Sequence, residues 1–72
     1  MLSLESIKEM LDREPFVSFR IITTSGDRYE VLDPHLVALG ATQLFYCYPR
    51  SDRSAFIPLS QISAMETLAH AV

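Results

Sequence analysis

The sequence predicts a mainly β fold with one N-terminal α-helix, folded as a small barrel of five to six strands. Three observations predict it. Apolar residues at helical spacing occupy only residues 3–14. Beyond them, apolar and polar residues alternate with period two, in short runs separated by Gly, Pro, Asp and Ser. The chain has 72 residues, and a domain of that size buries only about 60% of its unfolded surface. Residues 1–72 are therefore expected to share one core.

Residues 3–14 are predicted to form the helix. Leu4, Ile7, Met10 and Leu11 recur at spacings of three and four and fall on one stripe. Ser3 is the candidate N-cap, because its hydroxyl can accept from the open amides of the first turn. Leu2 and Ile7 then occupy the two positions of a hydrophobic staple. Glu5 and Arg13 complement the helix dipole at its two ends. Glu9 and Arg13 make an i,i+4 pair worth about 0.2–0.5 kcal/mol. Pro15 ends the helix, since the residue before a proline is driven out of the α region.

The strands follow in order. In residues 16–24, Val17, Phe19, Ile21 and Thr23 lie on one face and Ser18, Arg20, Ile22 and Thr24 on the other. Ser25, Gly26 and Asp27 turn the chain, and residues 28–32 return as the second arm of a hairpin with Tyr29 and Val31 inward. Pro34 cannot donate to a ladder, so the chain bends at residues 33–35. Residues 36–39 continue as a short strand, residues 40–42 turn, and residues 43–48 form a strand apolar on both faces. A polar loop at 49–53 leads to a strand at 54–59, which Pro58 places at an edge or near its end. Residues 60–62 form a tight turn. The propensity of residues 63–72 favours helix, but their place after a strand and a tight turn favours a closing strand through about Leu68.

This element order resembles the SH3-like and Sm-like small barrels. Phe19-Arg20-Ile21 leading into Gly26, the bend at Asp33, and the strand, turn and strand from Ile57 to Met65 carry the likeness. The nearest comparison is the bacterial Sm-like RNA chaperone family, which also opens with a helix. The chain departs from it in lacking a Lys-His pair near Pro58 and Leu59. A closer resemblance is to a group of small uncharacterised bacterial proteins with no assigned activity. Its shared pattern is Pro-Phe-x-x-Phe-Arg-Ile, Ser-Gly-Asp-Arg and Pro-His-x-Val-Ala-Leu, here Pro15 to Ile21, Ser25 to Arg28 and Pro34 to Leu39. That resemblance implies the element boundaries and no chemistry.

Composition narrows the function. The formal net charge is −3, which weighs against holding nucleic acid by bulk positive charge. Cys47 is the one cysteine and sits in an apolar run, so it reads as a buried thiol in a reducing compartment. The first residues lack a basic segment followed by a long apolar one, and no apolar stretch is long enough to span a bilayer. The expected location is cytoplasmic, away from membranes.

Catalytic and metal constellations are weak. Asp33 and His35, with Glu30 nearby, flank a proline and read as turn chemistry rather than as converging metal ligands. A Ser-His-Asp set could be drawn with His35, but no Gly-x-Ser-x-Gly elbow is present. Cys47 lies among aromatic residues, not in the electropositive setting a reactive thiol needs. No enzyme activity, metal or cofactor is expected.

Two constellations remain. Arg20, Arg28, Arg50 and Arg53, with Tyr29, Tyr46 and Tyr48, could form a stacking and phosphate-binding surface. The competing reading makes the arginines solvated and the tyrosines core or rim. The strand at 43–48 carries more apolar surface than a small barrel can bury, with Leu44, Tyr46 and Tyr48 on one face and Phe45 and Cys47 on the other. Leu44, Tyr46, Tyr48 and Phe56 are the candidate interface. The leading expectation is a non-catalytic protein-interaction module that forms a homo-oligomer or takes a protein partner. The alternative is an Sm-like RNA-binding protein acting as an oligomeric ring.

Overall fold

The structure, a computed structural model, describes residues 3–68. It opens with α1 (Leu4–Asp12). Ser3 caps this helix, its Oγ accepting from the Ser6 amide at 3.2 Å. Ile7 is completely buried, and Met10 and Leu11 pack against the same core. Leu2, the expected partner of Ile7, lies outside the described residues. The helix ends at Asp12, earlier than the expected residue 14. Arg13 is already extended, at φ −60° and ψ 137°, and makes no ion pair with Glu9.

Six strands follow: β1 (Phe19–Thr23), β2 (Arg28–Val31), β3 (Val37–Leu39), β4 (Gln43–Cys47), β5 (Ser54–Pro58) and β6 (Ile62–Thr67). They form two three-stranded antiparallel sheets, in the orders β2-β1-β6 and β3-β4-β5. No ladder joins the sheets, and they are not closed on each other.

The hairpin forms as the alternation predicts. Phe19, Ile21 and Thr23 are buried while Arg20 and Ile22 are half-buried. The strand begins at Phe19 rather than at residue 16, with Ser18, expected on the outer face, buried just before it, and it stops at Thr23 because Thr24 enters the turn. That turn needs Gly26, whose φ is +92°. Thr23 closes it by donating its amide to the Asp27 carbonyl at 2.9 Å and accepting from the Asp27 amide on Oγ1 at 3.1 Å.

At Pro34 the chain does more than bend. Asp33 Oδ1 accepts from the His35 amide at 2.8 Å and caps a single 3-10 turn, Pro34–Leu36. The strand on either side is split, with β2 in one sheet and β3 in the other. A second 3-10 turn, Leu59–Gln61, separates β5 from β6 in the same way. Strand β5 is an edge, with Pro58 as its last residue.

Residues 62–67 form a strand despite their helical propensity, because β6 pairs along the whole of β1. The register shifts beside Ser63, whose hydroxyl donates to the Ile22 carbonyl at 3.1 Å. The Leu68 amide bonds the Ser18 carbonyl at 2.9 Å. The sequence predicts the closing strand through about Leu68, and residues 69–72, the rest of the segment whose propensity favours helix, lie outside the described residues.

One core joins the three layers. Ile7 comes from α1, Phe19, Ile21, Val31 and Ile62 from the first sheet, and Leu44, Tyr46 and Ile57 from the second. Hydrogen bonds from Thr24 N to Gln61 O (2.8 Å) and from Leu59 N to Thr42 O (2.9 Å) hold the second 3-10 turn between neighbouring loops.

Candidate functional site

Two surface features stand out, a tyrosine groove and a phenylalanine patch. The groove has a volume of about 390 Å³. Arg20 from β1, Arg28, Tyr29 and Glu30 from β2, Leu32 just beyond it, Tyr46 from β4, and Tyr48 and Pro49 from the following turn line it. Period two along β2 explains part of the set. Tyr29 and Val31 turn toward the core side while Arg28 and Glu30 remain exposed.

Three tyrosine rings meet in the groove. The Tyr29 and Tyr46 centroids are 5.3 Å apart at 65°, and those of Tyr46 and Tyr48 are 5.1 Å apart at 86°. Both are edge-to-face contacts of the kind aromatic quadrupoles favour. Tyr29 and Tyr48 stand 6.2 Å apart at 53°. Tyr46 Oη donates to the Glu30 carbonyl at 2.7 Å, which ties β4 to β2 across the sheet boundary. Burial raises the phenol pKa of both Tyr46 and Tyr29 above the ordinary tyrosine value, and the neighbouring Tyr48 phenol, then Glu30 for Tyr46 and Asp27 for Tyr29, add to it.

Charge in the groove is arranged around Arg20. Its guanidinium donates to Glu30 Oε2 at 3.0 Å and Glu66 Oε1 at 3.4 Å. The registers Arg20 opposite Glu30 and Arg20 opposite Glu66 bring the three side chains to one face of the first sheet. The Glu30 hydrogen bond is the main cause holding the Arg20 pKa above its usual value. Arg28 makes no salt bridge among the described residues. The Arg53 guanidinium lies 5.2 Å from the Tyr48 ring centroid, a cation–π contact.

The second feature lies on the other sheet. Phe45 and Phe56 are directly opposed in the β4–β5 register, with centroids 4.9 Å apart. Phe56 is 68% exposed. Ala38, Leu39, Gly40 and Gln43 complete a shallow depression of about 250 Å³ beside the two rings.

The structure separates the expected interface residues. Leu44 is completely buried and Tyr46 is 3% exposed, so both belong to the core rather than to an open interface. Tyr48 is a half-buried groove wall, and Phe56 alone of the four is open to solvent. The face of β4 turned away from the core is the one carrying Phe45 and Cys47. Period two showed two faces, but only packing decides which is inward. Cys47 is half-buried rather than buried.

Of the expected arginines, Arg20 and Arg28 line the groove and Arg53 reaches Tyr48. Arg50 sits in the adjoining turn with φ +61° and does not line it. Leu32, 53% exposed, was not singled out by any pattern. His35 is almost fully exposed and bonds Asp33 Oδ1 through Nδ1 at 2.9 Å, while the Glu30 carboxylate is turned to Arg20. The His35 contacts, its amide bond first, lower the Asp33 pKa. Among the described residues, no three His, Cys, Asp or Glu side chains converge as metal ligands. No described helix is long and apolar enough to cross a membrane.

No family model, curated protein or solved structure matches the chain.

Proposed function

We propose that this chain is a non-catalytic interaction module that associates with copies of itself through the open edge of β5. The observation that carries this reading is the exposed ring of Phe56 on an edge strand. Five residues, Ser54 to Pro58, form that edge, and none is charged. Edge strands are usually blunted by charge, a bulge or a cover, because their free amides and carbonyls pair readily with another chain. Here Pro58 blunts only the last position.

The same proposal takes β2 and β3 as halves of one strand split at Pro34. The strands then run β6-β1-β2/β3-β4-β5, the order of an open SH3-like or Sm-like barrel. The two free edges are β5 and β6. A contact between β5 of one copy and β6 of the next is heterologous, and repetition closes a ring or extends a filament.

Light scattering after size exclusion tests the reading. The expected result is a mass above the 8.1 kDa of one chain, reduced to one chain by Phe56→Ser. Burying a phenylalanine contributes about 1.5–3 kcal/mol, enough to change a dissociation constant by tenfold or more. Phe56 is outside the core, so the variant keeps its circular dichroism. A wild-type chain that stays monomeric at high concentration rules the proposal out.

A further inference from the structure

We propose that the tyrosine groove is a binding site for a nucleotide unit: an aromatic base carrying a phosphate, presented either free or within a single strand. The groove shares no residue with the Phe45–Phe56 patch.

Size is the first argument. At about 390 Å³, the groove lies in the range of about 300–1,000 Å³ typical of small-ligand sites. Its surface is the second. Tyr29 and Tyr48 stand too close and too tilted to sandwich a ring between them. With exposed Leu32 and Pro49 they line the groove with aromatic and apolar surface against which the face of a base can pack. Base-on-aromatic stacking needs no particular base, since every base has a π face.

Charge is the third argument, and it selects an anion. The chain is acidic overall, yet Arg20, Arg28 and Arg53, three of its six Lys and Arg residues, gather here. Glu30 and Glu66 are already bonded to Arg20. Asp27 next to Arg28 receives a hydrogen bond from the Ser25 hydroxyl at 3.2 Å. Arg28 therefore remains the uncommitted cation of the lining, with a planar fork suited to phosphate oxygens. Arg20 is shared by two carboxylates, so Arg28 and Arg53, which make no salt bridge among the described residues, are the cations open to a phosphate. An uncharged aromatic would leave Arg28 without a use.

The chain contains no tryptophan, so tyrosine emission reports the site directly. The protein is titrated with adenosine monophosphate, adenosine and hexa-adenylate. Saturable quenching by adenosine monophosphate is expected, about tenfold weaker for adenosine or after Arg28→Gln, in line with one lost charged contact. Arg28 is exposed, so that variant keeps the fold. Tyr48→Ala is expected to weaken binding by a similar factor. Quenching by hexa-adenylate but not by the mononucleotide, with affinity falling as salt rises, identifies a strand as the source. The proposal fails if neither probe quenches at millimolar concentration, or if Arg28→Gln leaves the titration unchanged.

Discussion

Tyr46 shows how one side chain serves core and surface together. Its ring packs into the shared interior, while its hydroxyl reaches back to the Glu30 carbonyl. Tyr46→Phe keeps the ring and removes the donor. The carbonyl left behind costs about 1–2 kcal/mol, read as a lower urea midpoint with an unchanged slope. Tyr46 and Tyr29 also make stability depend on pH. Their folded-state phenol pKa values lie above the ordinary value. The associated stability is complete below the unfolded-state pKa and is lost as pH rises through the folded value. Urea midpoints measured across the tyrosine titration range are expected to fall with rising pH, and to fall less steeply in Tyr46→Phe. Alternation put Tyr46 on the same face as Leu44. No sequence pattern announced its bond to Glu30, because that contact joins strands of different sheets.

At the scale of elements, local chemistry decides boundaries and partners decide identity. Gly26 is legible as a turn residue, and its φ of +92° is the reason. A Cβ there meets nothing within 4 Å, so Gly26→Ala tests backbone strain alone. The expected loss is about 1–2 kcal/mol, measured by thermal unfolding. Asp33 and Pro34 were legible as a break. That the break sends β2 and β3 to different sheets was not, since proline removes a donor without saying where the next strand goes. Strand β6 illustrates the reverse. Its residues favour helix, and pairing with β1 overrides them, with the Ser63 hydroxyl adding a bond to the Ile22 carbonyl where the register shifts.

At the scale of the whole molecule, α1 and two small sheets meet in eight buried apolar side chains. Ile7 is the helix's one fully buried contribution. Truncating a buried isoleucine to alanine costs about 2–5 kcal/mol. A domain this small has a net stability of only about 3–5 kcal/mol. Ile7→Ala is therefore expected to leave much of the population unfolded at 25 °C, seen as lost strand signal in circular dichroism. Survival of a cooperative transition near the wild-type midpoint would show that α1 is an accessory to the sheets rather than part of their core.

Element order, the capped helix, the hairpin and the two proline breaks could be read from the chain, because each follows from spacing and backbone geometry within a few residues. So could the aromatic and arginine content of the groove. The inward face of β4, the split between sheets, the exposure of Phe56 and the meeting of Arg20, Arg28, Tyr29 and Tyr48 belong to the tertiary structure. These depend on which surfaces lose water against segments distant in sequence, and alternation along one strand is symmetric between its two faces until another layer covers one of them.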